Sequence, residues 1–385
     1  MSDQGTRDGT PSPTPDGSPT LTFRGGGWVI VLAGVLVVLL LGWSFLGPML
    51  GRHPIGDGRT VESYGFDLSN LRVERTDLVA SGNPRGFLPS LDDPKHIRGS
   101  EMVVYNERNR PKYVVSTDRV VGTVIEGQPH AWPLSMMNVH EVVNDTVGGI
   151  PVAMTYSPLC DSAVVFDRRV GGQARLFEVS GLLVDSNLVF YDKAPNGTQA
   201  ADHSPSLFLQ LARRAIAGPL AANDETLRSF PGVTITTWSD WLTAHPDTTV
   251  TERDPQTIRR MKEISYARYF LSPGLEFPSG RAPSDGQLAK DGMRLKSPVV
   301  LCRLGDAWHA LPVERLVEQL SSEGASDRTL RRTVGGVELV VHLPAGPAVA
   351  RVVRADGEPL ETVPCLWFSA GLVGPAAAPP TLFSN

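Results

Sequence analysis

The stretch RVVGTVIEGQPHAWPL, residues 119–134, resembles a second stretch of the same chain, PVVLCRLGDAWHALPV, residues 298–313. The two align at an offset of 179 residues, which pairs His130 with His309. Positions shared by two copies of a fold are more naturally explained by packing than by chemistry. We therefore expect His130 to have a structural role.

The match between the two halves resumes further along the chain. At an offset of 187 residues, TVGGIPVAM from Thr146 meets TVGGVELVV from Thr333. A surface loop, SSEGASDR, absorbs the eight-residue difference between the two offsets. The sequence therefore predicts two diverged copies of one unit, residues 60–280 and a degenerate copy in residues 281–385.

Each copy has the composition of a β-rich domain. VVGTVI, PVAMTY, AVVFDRR, ARLFEVS and LVFYD are short runs rich in Val, Thr, Phe and Tyr, separated by turn residues. Three other stretches have helical periodicity: residues 133–145, 205–218 and 238–246.

The first 50 residues have a different character. Residues 1–26 are rich in Ser, Thr, Pro, Gly and Asp and are expected to be disordered. From Trp28 to Leu50 the chain carries no charge, a length that suits a bilayer core about 30 Å thick, so residues 27–50 are predicted to be a transmembrane anchor. A large domain can translocate regardless of its charge, and we expect an extracytoplasmic location. The predicted fold class is thus α+β and β-rich: two diverged copies of a β-sheet or barrel-like unit with a few helices, preceded by one transmembrane helix.

Overall charge excludes one class of partner. The chain of 385 residues is 41% apolar and 20% charged, with a net charge of -5. Its Lys and Arg residues are spread along the chain, so no basic surface for nucleic acid is expected. The expected contacts are the membrane, through residues 27–50, and a small molecule or protein of unknown identity.

Candidate reactive groups are concentrated in NVHEVVNDTVGGIPVAMTYSPLC, residues 138–160. This stretch contains Asn138, His140, Glu141 and Cys160, and the second copy has no equivalent group. A site built from these residues would belong to the first copy alone.

Three interpretations of this group remain open. In the first, His140, Cys160 and Glu141 bind a metal, since imidazole and thiolate suit copper, zinc or iron. In the second, Cys160 is a nucleophile activated by His140, with Glu141 or Asn138 orienting the imidazole. In the third, His140 is a core histidine, Glu141 is solvated and Cys160 is a small buried hydrophobe. The corresponding functions are a membrane-anchored protein with metal or thiol chemistry and, alternatively, a non-catalytic envelope binding or scaffold module.

The same stretch resembles a known family. Together with FEVSGLLVDSNLVFYD, AIAGPL, TTWSDWLTAHPDT and YARYF, it is similar to the prokaryotic domain-of-unknown-function family 3179, closely over residues 85–275. Members of that family usually carry Cys-Pro-Leu-Cys where this chain has Ser157-Pro-Leu-Cys160, so a redox disulfide at this turn is impossible here. The resemblance also covers six polar residues that are weaker candidates for a site, because such residues more often cap turns: Ser180, Asp185, Ser186, Asn187, Tyr191 and Asp192.

The other two cysteines permit one disulfide. In an external domain, Cys302 and Cys365 would pair and leave Cys160 free. Three separate buried thiols are the alternative if the domain faces the cytoplasm.

Overall fold

The structure is a computed structural model of the chain. Two compact units, residues 1–54 and 55–385, divide the chain. The predicted disordered tail, residues 1–26, lies outside the described residues. The structure describes residues 27–49, 54–194, 204–261, 264–324, 326–344, 350–374 and 380–383.

The first unit contains helix α1, Gly27–Met49, on the segment predicted to be an anchor. Within the part of the chain that the structure describes, we find no helix with both the length and the apolar character needed to cross a membrane. The predicted transmembrane helix is therefore not supported.

The second unit contains short helices and many strands. Its helices are α2 (Met102–Arg108), α3 (Leu134–His140), α4 (Pro219–Ala222), α5 (Trp238–Ala244), α6 (Pro255–Arg260), α7 (Ala267–Leu271), α8 (Asp285–Asp291) and α9 (Val313–Glu323). The strands are β1 (Leu78–Ala80), β2 (Leu91–Asp92), β3 (His96–Arg98), β4 (Arg119–Ile125), β5 (Gln128–Pro133), β6 (Val142–Val147), β7 (Ile150–Ser157), β8 (Ser162–Asp167), β9 (Arg169–Val170), β10 (Gln173–Ala174), β11 (Leu176–Val184), β12 (Asn187–Lys193), β13 (Leu207–Leu209), β14 (Arg214–Ala217), β15 (Thr234–Thr237), β16 (Thr249–Thr251), β17 (Pro298–Leu304), β18 (Ala307–Pro312), β19 (Thr329–Val334), β20 (Val337–His342), β21 (Arg351–Arg354), β22 (Glu361–Leu366) and β23 (Thr381–Leu382). The predicted α+β, β-rich class is confirmed.

The strands form five sheets and one short ribbon. Sheet A has the order β1-β11-β12-β13-β14, and sheet B the order β2-β6-β7-β8. Sheet C is β15-β4-β5-β16-β3, sheet D is β22-β17-β18-β23, and sheet E is β19-β20-β21. Strands β9 and β10 pair as a ribbon.

Sheets C and D share an arrangement of four strands. In sheet C, β4 pairs antiparallel with β15 and β5, and β5 pairs parallel with β16. In sheet D, β17 pairs antiparallel with β22 and β18, and β18 pairs parallel with β23. A helix and an antiparallel hairpin follow each central pair: α3 with β6 and β7, and α9 with β19 and β20. The predicted duplication remains a prediction, with this shared order in its favour.

The two Thr-Val-Gly-Gly motifs form the turns of the β6–β7 and β19–β20 hairpins. Gly148 and Gly149 have φ of 58° and 75°, and Gly335 and Gly336 have φ of 56° and 79°. Two consecutive residues with positive φ are what a two-residue type I′ hairpin turn requires, and glycine adopts them without strain. The motif therefore fixes the register of both hairpins.

Two of the three helix predictions need correction. The helix predicted over residues 238–246 is confirmed as α5, but the one over residues 133–145 ends at His140, because Glu141 is left-handed with φ of 56° and a strand follows. The stretch 205–218 is wrong as a helix and forms β13 and β14. All three residues of β13 are buried, which suits a strand covered on both faces better than an amphipathic helix.

The largest cluster of buried side chains draws on sheets A, B and D. Phe177, Phe190 and Phe208 of sheet A lie in it together with Ala153 of sheet B and Leu301 of sheet D. The Phe177 ring meets the Phe190 and Phe208 rings edge-on, with centroids 5.3 and 5.4 Å apart. This shared core holds the sheets of the two predicted copies together.

The disulfide considered for Cys302 and Cys365 does not form. All three cysteines are free and buried. On the paired strands β17 and β22, Cys302 lies opposite Thr362 and Cys365 lies opposite Val299, three positions away. Three positions along a strand correspond to about 10 Å, and an odd separation puts the two side chains on opposite faces. A disulfide needs Cα atoms closer than about 7 Å.

Candidate functional site

Two histidines and an aspartate from three strands meet at one edge of sheet C. His96 lies on the edge strand β3, His130 on β5, and Asp145 on β6 of sheet B. Strand β16 lies between β5 and β3, so that its residues Thr249 and Thr251 face His130 and His96 across the sheet. The ligand atoms of the three residues, here called the His-His-Asp group, all lie within 4.8 Å of one another.

Asp145 holds the group together. His96 Nε2 lies 2.8 Å from Asp145 Oδ1, and His130 Nε2 lies 3.6 Å from Asp145 Oδ2. Trp132 donates from its indole nitrogen to Oδ2 at 3.0 Å, and the backbone N–H of Thr146 donates to Oδ1 at 2.7 Å. The carboxylate is only 1% exposed, and these donors compensate for its burial.

His130 is fixed in orientation by two threonines. Its Nδ1 lies 2.7 Å from Thr249 Oγ1, and its Nε2 lies 2.8 Å from Thr251 Oγ1. The His130 ring also packs against the His96 ring, with centroids 4.3 Å apart. Hydrogen bonds of this kind select the tautomer and ring angle of metal-binding histidines.

Burial and charge set the protonation states of the two buried members. Burial lowers the pKa of His130 to about 3, with His96 adding to the effect and Asp145 opposing it. Burial also disfavours ionisation of Asp145, but the hydrogen bond from His96 and the charges of both histidines outweigh it and lower the pKa of that carboxyl. At neutral pH the group therefore offers a neutral imidazole and a carboxylate, the forms in which these side chains bind metals.

The His-His-Asp group can hold a metal ion. Two imidazoles and one carboxylate suit zinc, iron, copper or nickel, and such a set leaves coordination positions open. The His96 side chain is 26% exposed, whereas His130 is fully buried, so an ion has access from the side of β3.

The predicted second copy lacks this set among the residues that the structure describes. His309 corresponds to His130, and it lies opposite Thr381 as His130 lies opposite Thr249. At the offset of 187 residues, the position of Asp145 is taken by Arg332. A cation in place of the carboxylate removes both the anionic ligand and the acceptor that organises the group.

The structure places His140 and Cys160 with separate partners. His140 is buried at the end of α3, with Nδ1 2.7 Å from the Pro89 carbonyl oxygen and Nε2 2.7 Å from Thr257 Oγ1. Burial lowers its pKa. No hydrogen bond joins His140 to Cys160 among the described residues.

Cys160 lies in apolar packing. It is fully buried against Leu366 and Phe368, and its thiol donates to the Ser186 carbonyl oxygen at 3.4 Å. Burial raises its pKa to about 12. Because a thiolate is both the nucleophile and the metal ligand, this environment favours neither role.

Asn138 and Glu141 differ from the sequence expectation. The amide oxygen of Asn138 is buried without a hydrogen-bond partner. Glu141 is 7% exposed rather than solvated, and burial raises its pKa to about 8. The hydroxyl of Tyr266 donates to Glu141 Oε1 at 3.2 Å.

Glu141 lines a cavity of about 130 Å³ in which several predicted motifs meet. Leu159 comes from the Ser-Pro-Leu-Cys turn, and Val179, Gly181 and Leu188 come from the FEVSGLLVDSNLVFYD segment. The segment Asn138-Val-His-Glu141 thus contributes Glu141, rather than His140, to an internal space. This space is here called the Glu141 cavity.

The six polar residues that were weaker candidates for a site all form hydrogen bonds or ion pairs within the fold. Ser180 donates to the Val189 carbonyl oxygen at 2.5 Å and Ser186 to that of Phe277 at 2.9 Å. Tyr191 donates to Glu178, and the carboxylates of Asp185 and Asp192 pair with Arg281 and Arg175. Asn187 bonds Gln210 and the backbone of Leu211.

Sequence reasoning missed the His-His-Asp group. His130 was assigned to packing because His309 shares its position, and neither His96 nor Asp145 was considered. The available signal was the difference between the copies at one position, Asp145 against Arg332. If the two halves are copies of one unit, the histidine is present in both and the carboxylate only in the first.

A family comparison bears on the whole second unit. The family model described as "Protein of unknown function (DUF3179)" matches residues 85–362. No curated protein and no solved structure matched the sequence. The match covers most of both predicted copies, the His-His-Asp group and the lining of the Glu141 cavity apart from Ser81 and Asn83, so it extends beyond the segment of close resemblance. The chain belongs to the DUF3179 family.

Proposed function

We propose that this protein binds one divalent transition-metal ion through His96, His130 and Asp145. The observation that carries the proposal is that one ligand atom from each of the three residues lies within 4.8 Å of the other two. The lowered pKa values of His130 and Asp145 support it, because the ion need not displace a proton from either group at neutral pH.

Partners of the three ligands support the same proposal. Thr249 holds Nδ1 of His130, and Nε2 lies on the side of Asp145, where an ion would replace its contact with Thr251. Trp132 and Thr146 restrain the carboxylate. Such contacts typically change metal affinity 10- to 100-fold, roughly, when they are removed. The ion would replace the His96–Asp145 hydrogen bond and keep positions open for a small ligand.

Metal titration of the purified full-length chain tests the proposal. We expect about one equivalent of Zn²⁺ or Fe²⁺ by elemental analysis, and His96→Ala should weaken calorimetric binding of Zn²⁺ at least about tenfold. The matched control is His309→Ala, the same position as His130 in the second copy, which should leave binding unchanged. Equal losses in the two variants, or no metal uptake by wild-type protein, would overturn the proposal.

Membrane attachment is a separate proposal. We propose that residues 27–50 attach the chain to a membrane, with most of the protein on the extracytoplasmic side. Support comes from the sequence, which has no charge from Trp28 to Leu50. The idea of a non-catalytic envelope binding or scaffold module remains the alternative to the metal function.

Cell fractionation tests the attachment. Wild-type protein should sediment with membranes and require detergent for release, and deletion of residues 1–52 should move it to the soluble fraction. External protease should degrade the globular part in intact spheroplasts. Recovery of the full-length chain in the soluble fraction without detergent would contradict the proposal.

A further inference from the structure

The Glu141 cavity is bounded mainly by apolar side chains. Leucines and valine from sheet A and the Ser-Pro-Leu-Cys turn form its inner wall, and Phe87 and Phe277 add two aromatic rings. Its volume of about 130 Å³ compares with an engineered apolar cavity of about 150 Å³ that admits benzene. A ligand of roughly six non-hydrogen atoms is therefore the appropriate size.

Polar atoms in the cavity wall are incompletely paired. Glu141 Oε1 accepts from Tyr266, but no group among the described residues donates to Oε2. Ser81, which also lines the cavity, has a buried hydroxyl without any hydrogen-bond partner. Asn83 donates from its side chain to the Ser81 carbonyl oxygen at 3.3 Å, so its amide oxygen is left as an acceptor. Buried polar atoms without partners are costly and point to a missing one.

The carboxyl groups of the cavity wall have no basic side chain beside them in the wall. Glu141 is buried in the wall, and the exposed Glu276 also lines the cavity. No lysine, arginine or histidine lines it among the described residues. An ammonium group has three N–H donors, and the side-chain oxygens of Glu141, Ser81 and Asn83, which line the same cavity, can accept from it.

We propose that the Glu141 cavity binds a small organic ammonium ion, with the charged nitrogen at Glu141 and the apolar body against the leucines. An anion would meet two carboxyl groups without a counter-charge. A neutral alcohol of the same shape supplies one donor and cannot satisfy the same acceptors. The left-handed backbone of Glu141, with φ of 56°, ends α3 immediately before β6 begins.

The protonation of Glu141 is consistent with such a ligand. Burial raises its pKa to about 8, so the free protein carries a largely neutral carboxyl group at neutral pH. A bound ammonium ion would favour the carboxylate, because an opposite charge within a few ångströms lowers the pKa of an acid. Glu141 therefore becomes negatively charged when the cation binds.

Calorimetric titration of the full-length protein with three probes of similar size tests this inference. We expect n-butylamine to bind about tenfold more tightly than 1-butanol at pH 7, and butyrate to bind more weakly than either. Butanol binding as tight as butylamine would overturn the proposal, as would preferential binding of butyrate.

Substitutions locate the binding and separate it from the metal site. Glu141→Gln keeps the shape of the side chain and should weaken butylamine binding at least about tenfold, while butanol binding changes less than about twofold. Ser81→Ala should weaken butylamine binding by a smaller factor, and it provides a second test if the Glu141 variant folds poorly. Glu338→Gln, on the exposed face of β20, and His96→Ala should both leave butylamine binding unchanged. Unchanged affinity in folded Glu141→Gln would overturn the proposal, whatever the result for metal.

Discussion

Glu141→Gln is expected to make the protein more stable at pH 8 and to change its stability little at pH 4.5. Burial raises the pKa of Glu141 from 4.5 to about 8 in the folded protein. Between these values the folded state keeps a proton that the unfolded chain has lost. The wild-type free energy of unfolding therefore falls with rising pH, by about 1.4 kcal/mol per unit, on the order of 5 kcal/mol in all.

Glutamine does not titrate, so the variant lacks this loss. Urea unfolding at pH 4.5, 6 and 8 should show a difference between variant and wild type that grows with pH and levels off above pH 8. The exposed Glu338→Gln serves as the control and should show no such trend. A pH-independent difference would mean that Glu141 is already ionised in the folded protein.

His130 has the opposite pH dependence. Its pKa falls from 6.5 to about 3 on folding, so the unfolded chain binds the extra proton in that range. Stability is then lost as the pH falls from 6.5 towards 3, with the same slope per unit. Between pH 4.5 and 6.5 the contributions of Glu141 and His130 cancel. The two residues together favour a plateau of stability in mildly acidic conditions.

The sequence predicted local structure better than long-range contacts. The Gly-Gly turns identified the hairpins at 148–149 and 335–336, since a type I′ turn needs consecutive positive φ angles. The stretch 205–218 was misassigned as a helix, because an apolar run buried on both faces has no clear period. Whether such a run forms a helix or a strand is decided by its pairing with strands that are distant in the sequence.

The candidate sites show the same limit. Glu141 was selected from its motif, but its burial depends on Tyr266 and on sheet A, which lie far along the chain. His96 and His130 come together because β16 pairs antiparallel with β3 and parallel with β5, and no local pattern reveals these pairings. The separation of Cys302 from Cys365 likewise follows from strand register, which the spacing of cysteines does not encode.

Asp145→Ala is expected to destabilise the protein by about 3–5 kcal/mol, since it leaves several buried hydrogen-bonding groups without their partner. The indole N–H of Trp132, the N–H of Thr146 and His96 would all lose their acceptor. Asp145→Asn retains an acceptor oxygen and should cost less. Differences in the free energy of unfolding from urea titration, measured in metal-free buffer, provide the values.

The control for Asp145 is the matching position of the second copy. Arg332 bonds the half-exposed Glu323 and is itself 16% exposed, so Arg332→Ala should cost less than Asp145→Ala. Similar losses in the two variants would show that Asp145 contributes no more than a partly buried ion pair.

Metal linkage then separates the structural role of Asp145 from its proposed role as a ligand. An ion that binds only the folded protein adds about 2.7 kcal/mol of stability at a free concentration 100 times its Kd. Wild-type protein and Arg332→Ala should both gain this increment with Zn²⁺, and Asp145→Asn should gain much less. The asparagine variant keeps one acceptor oxygen, for either Trp132 or Thr146. Because its gain with Zn²⁺ is measured against its own stability in metal-free buffer, loss of the increment would reflect the missing charge at the metal. An equal gain in Asp145→Asn would place the ion elsewhere and leave His96, His130 and Asp145 as a structural cluster.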